Sequence, residues 1–241
     1  MKFDKTEVFG MESATRAMRN PLESWHLSDS YWGNNEYSLE SYVLGENDIS
    51  LMQRLIKAGT EHRKFLRQII VSVDITAPLY WWKEFDTYKV GVTANSTSTM
   101  HKIASKPITM DCFEMGDFDS SVYVYNVDNE QVTTQEFWKQ HLIPYLEELR
   151  KQYNETKNKR YWKELVRLLP ESWVQTRTIT MSYENVRTMI HQRTNHKLTE
   201  WARDFIEWAK TLPYSEELLF FNQNSYNEIS HPLIIRSNFQ N

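Results

Sequence analysis

The chain has 241 residues, 40% of them hydrophobic and 14% aromatic, which is enough to bury a substantial core, and a single domain over residues 1–241 is the expectation. No apolar run approaches the roughly 18 residues that span a bilayer, and the opening Met1-Lys2-Phe3-Asp4-Lys5-Thr6-Glu7 is too polar for a signal peptide, so a cytoplasmic location with no membrane partner is expected. Twenty-eight Lys and Arg against 32 Asp and Glu give a net charge of -4, which argues against duplex nucleic acid as a partner but leaves room for a local basic pocket around a nucleotide. The single cysteine, Cys112, excludes an internal disulfide and a multi-thiolate metal site.

In chain order, Ala14 to Ser30 opens with a short helix signal that Pro21 stops, followed by polar loop residues. Asn47-Asp48 are good helix-capping types, and Leu51, Met52, Leu55, Ile56 and then Phe65, Leu66 recur at helical spacing with a break near Gly59. Ile69 to Thr76 is rich in β-branched residues and reads as a largely buried strand ended by Ala77-Pro78. Leu79 to Phe85 is aromatic and helical in pattern. Asp86 to Lys102 is polar, ends in a run of hydroxyls without periodicity, and is expected to be a binding loop or an ordinary surface loop. Phe137 to Lys151 and Trp162 to Leu169 read as packing helices separated by the polar break Asn154 to Asn158, the second ending before Pro170. Arg177 to Tyr183 alternates as a strand does, and Glu184 to His191 and Leu198 to Leu212 read as helices.

Two polar clusters carry the chemistry. One holds Lys89, Asn95, Ser96, Ser98, His101 and Lys102; the other holds Gln175, Arg177, Arg193, Asn195, His196, Lys197 and Glu200. Guanidinium forks, ammonium charge and hydroxyls are what a phosphate monoester and a pyrimidine edge require. The alternative is that the same cations are solvated or paired with Glu184 and Glu200. There is no G-x-G-x-x-G, Walker A run, H-E-x-x-H or G-x-S-x-G, so a nicotinamide Rossmann domain, a P-loop, a zincin and an α/β-hydrolase are unsupported and no metal is expected. Cys112, between apolar and acidic neighbours, is assigned no role.

The segment Arg67 to Phe85, a strand followed by Ala77-Pro78 and an aromatic helix, resembles the lead into the signature motif of the flavin-dependent thymidylate synthases. In that signature Lys89 keeps a positive charge and Ser98 a hydroxyl, whereas Thr87, Tyr88 and Met100 stand where the family has an arginine, a histidine and an arginine. A second match runs from Leu169-Pro170 through Gln175-Thr176-Arg177 to Arg193 and Glu200-Trp201; within it Ser182, Glu184 and Thr188 stand at positions where the family presents flavin-contacting residues. The resemblance as a whole covers roughly Leu51 to Leu212.

The resemblance implies an α/β (α+β) fold, a twisted β-sheet flanked by helices, assembled as a homotetramer with sites built from several chains. It implies reductive methylation of dUMP, or a related pyrimidine nucleotide, by an FAD-dependent methyltransferase of nucleotide biosynthesis. Methylenetetrahydrofolate and NADPH would be the co-substrates. Arg193, Ser98, Arg177 and Gln175 would contact substrate, and Lys89, Tyr88, Asn95, Ser182 and Thr188 the cofactor; no catalytic residue is singled out. Such a flavoprotein needs no cysteine nucleophile, since the flavin carries the chemistry and the protein positions it. The competing reading is a non-catalytic descendant of the fold that binds a nucleotide or acts as an interaction or regulatory protein.

Overall fold

The computed structural model describes residues 1–34, 40–117, 119, 121, 123–127 and 130–222. Its elements are β1 (Lys2–Phe9), α1 (Met11–Arg19), β2 (Tyr31–Asn34), β3 (Glu40–Val43), α2 (Glu46–Lys57), β4 (Ile70–Pro78), α3 (Leu79–Phe85), β5 (Thr93–Ser96), α4 (Thr99–Lys102), β6 (Tyr123–Val127), β7 (Glu130–Thr133), α5 (Thr134–Phe137), α6 (Ile143–Thr156), α7 (Lys159–Leu168), β8 (Val174–Ser182), α8 (Tyr183–Arg193) and α9 (Ile206–Lys210). A four-stranded sheet has the order β1-β4-β8-β5, and β2/β3 and β6/β7 are antiparallel two-stranded ribbons. No helix among the described residues is long and apolar enough to cross a membrane. The chain divides into two compact units, Met1–Lys5 with Val73–Ile179 and Thr6–Ser72 with Thr180–Asn241.

In the first unit β4 buries Val73, Ile75 and Ala77 while Asp74 and Thr76 stay half-buried, the period of two that a one-sided strand requires. Two cross-strand bonds fix its antiparallel register on β8: the Thr76 and Thr176 hydroxyls lie 2.7 Å apart, and Thr178 donates to Asp74 Oδ1 at 2.6 Å. The strand ends at Ala77-Pro78, which form its last two residues, and α3 follows directly. Pro78 has no side-chain donor or acceptor to cap that helix; the carbonyls of Trp173 and Glu171 accept the Leu79 and Tyr80 N–H groups instead, at 3.0 and 3.1 Å. Trp81, Trp82 and Phe85 of α3 are buried and pack ring against ring at 4.9 to 5.4 Å. A second cluster gathers Ile103, Ile108, Phe113, Leu146, Leu149 and Leu165 where α6 and α7 pack together.

The helix expected from Phe137 begins earlier, at Thr134, because Thr133 and Glu136 form a capping box. It widens into a π turn at Trp138–Leu142. That widening falls beside Pro144, which has no N–H for the Gln140 carbonyl. The polar stretch Asp86 to Lys102 is not wholly irregular either: it contains β5 and α4, since Thr97 N–H bonds the Thr176 carbonyl at 3.0 Å beside β8 and Ser98 caps α4 by accepting from His101 N–H at 3.2 Å.

In the second unit α8 packs against the turn Lys64–Arg67, α9 and the π turn Ser215–Leu219. Met52, Phe65, Leu66, Val186, Met189, Trp201, Phe205 and Leu218 are fully or almost fully buried. Asn47 and Asp48 do not cap α2 but lie in its first turn. The cap comes from Asp29, whose carboxylate accepts the Asn47 and Asp48 N–H groups at 2.9 and 3.2 Å. Gly45 makes room for it, because a Cβ there would overlap the Asp29 carboxylate. The Asp48 side chain, fully buried, takes Arg19 Nε at 2.6 Å and the hydroxyls of Ser28 and Ser30 at 2.6 and 2.7 Å. Burial alone would raise its pKa; the two hydroxyls and the guanidinium outweigh that and hold the carboxyl below the usual range. At Gly10, with φ of 89°, an added Cβ would overlap the Gln68 carbonyl oxygen, so glycine is required on both counts.

Candidate active site

In the first unit the strand β8 presents Gln175 and Arg177 on one face, two residues apart as strand periodicity dictates. Arg177 is held three ways. Its Nη1 donates to Asp86 Oδ1 at 2.7 Å, its Nε donates to Gln175 Oε1 at 2.9 Å, and its guanidinium carbon lies 4.2 Å from the centre of the Trp82 ring. Trp82 is fixed in turn by its indole N–H, which donates to the Gln175 carbonyl at 3.0 Å. The Gln175 amide has only one orientation consistent with these partners, because its oxygen must accept from Arg177 while its nitrogen donates to the Thr97 carbonyl at 2.7 Å and toward Thr99 Oγ1 at 3.4 Å. A directed hydrogen-bond chain therefore runs from Asp86 through Arg177 and Gln175 to Thr97 and Thr99.

Each end of that chain reaches a cavity. Thr97 and Thr99 line one of about 440 Å³ with Ser98, Lys102, Lys106, Cys112 and Trp173. Asp86 lines another of about 300 Å³ with Tyr88 and Lys89, walled by Phe85, Val92 and Ala94. Both lie within the first unit. The structure thus brings together Gln175, Arg177 and Ser98 from the expected substrate set, and places Tyr88 and Lys89 from the expected cofactor set at the other end of the same chain. Asn95 is exposed on β5, between the stretches that supply the two cavities. Trp82 and Asp86 organise this arrangement and carry no signal in the sequence, and Lys106, equally unmarked, lines the larger cavity. Asp86 is 91 positions from Arg177, and no periodicity signals such a pair.

The remaining expected residues lie in the second unit. Arg193 ends α8 with its guanidinium carbon 5.0 Å from the centre of the Trp201 ring. Glu184 is committed to Arg63, which makes a forked contact at 2.9 to 3.1 Å, so it is no partner for the cations of the second cluster. Ser182 caps α8 in a box with Asn185: its hydroxyl donates to Asn185 Oδ1 at 2.6 Å and accepts from the Asn185 N–H at 3.3 Å. Thr188 donates back to the Glu184 carbonyl at 2.8 Å. Both hydroxyls are thus engaged in local helix chemistry. Among the described residues no three His, Cys, Asp or Glu side chains converge on a point that could hold a metal.

The sheet order and the α3 helix following β4 belong to a mixed helix and strand fold, an antiparallel sheet flanked by helices, of the flavin-dependent thymidylate synthase type. The chain is similar to the flavin-dependent thymidylate synthase of Helicobacter pylori solved with FAD and dUMP, at 17% identity and a TM-score of 0.61 over 92% of this chain and 98% of that one. A second structure of that enzyme with the same ligands aligns at a TM-score of 0.62. A UMP/dUMP methylase from Streptomyces cacaoi, bound to 5-Br UMP, aligns at 12% identity and a TM-score of 0.56, over 92% of this chain and 96% of that one. No protein-family model matches the chain, and no curated protein matches it by sequence.

Proposed function

We propose that this chain is an enzyme that methylates a pyrimidine nucleotide, dUMP or a close relative, with methylenetetrahydrofolate as carbon donor and FAD as cofactor reduced by NADPH. The observation that carries the reading is the chain Asp86–Arg177–Gln175–Thr97/Thr99 between two cavities, in a fold shared with proteins that bind dUMP, UMP analogues and FAD. Of the two cavities that this chain links, the larger suits a nucleotide and the smaller one end of a ring cofactor. Arg193 is carried as a further substrate contact, in a homotetramer whose sites draw on more than one chain.

The donor set at the smaller cavity fits the carbonyl-bearing end of a flavin: Lys89 offers an ammonium and Tyr88 a phenol, against the apolar walls of Phe85 and Val92. When bound, reduced flavin would supply the reducing equivalents of the methylation. The protein's part is positional. Arg177, pinned by Asp86 and the Trp82 face, holds a fixed positive charge and leaves Gln175 a single orientation, so that the Thr97–Thr99 edge of the substrate cavity is set before any ligand arrives. Lys89 in place of a guanidinium supplies charge without a bidentate fork.

A second reading is favoured by Ser182 and Thr188, whose hydroxyls are satisfied inside the second unit. It is a nucleotide-binding descendant of the fold that has given up flavin. The visible spectrum of the purified protein, with FAD added back before judgement, separates the two. Under the enzyme reading a bound-flavin spectrum accompanies tritium release from dUMP labelled at ring carbon 5. Flavin-free protein that binds dUMP and releases no tritium would sink it in favour of the second.

A further inference from the structure

We propose that Lys102 and Lys106 form the anion-binding end of the Ser98 cavity and hold the phosphate of a nucleoside monophosphate; this rests on the nucleotide reading above. The composition of the wall carries the argument. Among the described residues it contains two ammonium groups, four hydroxyls and a thiol, and no carboxylate, in a chain whose net charge is -4. Lys102 is the last residue of α4 and Lys106 follows four positions later, so both arise from one short stretch that also supplies Ser105. Neither lysine is in an ion pair among the described residues. Glu147, which reaches this stretch at the Ile108 N–H at 2.8 Å, is already taken by Arg150 at 2.6 Å.

The hydroxyls nearby have hydrogens to give. Ser98 Oγ accepts from His101 N–H, and Thr99 Oγ1 accepts from Gln175, so both serve there as acceptors and keep their own O–H groups for a ligand. Two ammonium groups and two hydroxyl donors in one cavity match the three oxygens of a phosphate monoester. Lysine is the suited cation where charge is needed without a planar fork. The half-buried Trp173 ring and the apolar Ile103 and Val174 supply a wall for the uncharged base or sugar. Met100, which stands in the signature where an arginine is usual, is exposed and outside this wall.

Cys112 provides the reporter, being the only thiol in the chain and part of the same wall. Calorimetry with dUMP and with deoxyuridine is run on the whole protein and on a Lys102→Met, Lys106→Met double variant, alongside the rate of Cys112 alkylation in the presence of inorganic phosphate. Both lysines are exposed, and an unchanged circular dichroism spectrum and melting temperature confirm that the variant folds. The expected result is a loss of dUMP affinity of about thirtyfold or more, down to that of deoxyuridine, with deoxyuridine binding unaltered. Phosphate is expected to slow alkylation in the natural protein and not in the variant. If dUMP binds both proteins equally, the nucleotide reading stands and the lysine assignment falls. If phosphate protects Cys112 through the lysines while neither dUMP nor deoxyuridine binds, the anion site stands and the nucleotide reading falls.

Discussion

Arg177 lies over the indole of Trp82, its guanidinium carbon 4.2 Å from the ring centre, while the same indole donates to the backbone carbonyl of Gln175 two residues before it. One tryptophan therefore fixes both the side chain of Arg177 and the strand that carries it. An ammonium could keep the contact to Asp86 but would lose the bond to Gln175 and the stacked plane. Arg177→Lys is expected to weaken dUMP binding about tenfold or more with little change in melting temperature, because the Gln175 amide loses the partner that orients it. Calorimetry on the variant tests this, and an unaltered dissociation constant would remove the chain from the site.

Arg193 matches the family pattern without substitution and ends α8 over Trp201. Replacing it with alanine is expected to cost about 2 kcal/mol of dUMP binding if its fork holds the base edge. Affinity equal to that of the natural protein would exclude it as a ligand contact.

The buried pair Arg19–Asp48, at 2.6 Å, is 4% and 0% exposed on its two side chains. Asp48→Ala would strand the guanidinium among carbonyls and hydroxyls with no compensating charge, a loss of about 3 to 5 kcal/mol. Urea unfolding should show the shift in midpoint. A change below 1 kcal/mol would mean that the pair behaves as a solvated one.

Burial, aided by the charges of Arg187 and Arg63, pulls the His191 imidazole from its ordinary 6.5 down to about 4. The folded pKa is depressed, so the unfolded chain binds the proton first as pH falls. The stability that comes from keeping His191 neutral is present above about pH 6.5, declines below it and is lost by about pH 4; allowing for partial exposure, it amounts to about 1 to 2 kcal/mol. His191→Gln should flatten the stability curve across that window. An equally steep curve in the variant would assign the acid sensitivity to other groups.

A homotetramer is expected from the family resemblance, and exposed Phe9, Leu22, Trp25, Leu27, Tyr31 and Trp32 give the second unit apolar surface to cover. Light scattering at micromolar concentration should give a multiple of 28.9 kDa. A monomer alone would count against it.

The elements that could be read from the chain were those whose burial writes itself into the residue pattern. β4 alternates over Val71, Val73 and Ile75, and β8 over Ile179 and Met181. β1 has little such pattern, since most of its side chains are exposed or half-exposed and it is held as a strand by backbone pairing. The ribbon of β2 and β3 was likewise illegible, being short and stabilised by a cross-strand contact, Trp32 on Tyr42 at 5.5 Å. Of the candidate site residues, Gln175, Arg177 and Ser98 were legible through the resemblance and their residue types. Asp86 and Trp82 were not, because an acidic residue after a helix and an aromatic within one carry no mark of the strand they meet. Lys106 was missed for a related reason: a lysine next to a proline looks solvated until the cavity that it lines is known.

The corner formed by Asp29, Gly45 and Asp48 has a consequence for how this sequence can drift. Asp29 caps α2 through the Asn47 and Asp48 N–H groups, Gly45 leaves the space that carboxylate fills, and Asp48 neutralises Arg19 with help from Ser28 and Ser30. Exchange of Arg19, Asp29, Gly45 or Asp48 takes away a partner or a space that another of these six positions needs, and loss of Ser28 or Ser30 removes one donor from Asp48. In a saturation library, positions 19, 28, 29, 30, 45 and 48 should therefore tolerate change only in concert, so that surviving variants carry compensating pairs there while neighbours such as Glu46 and Asn47 vary singly.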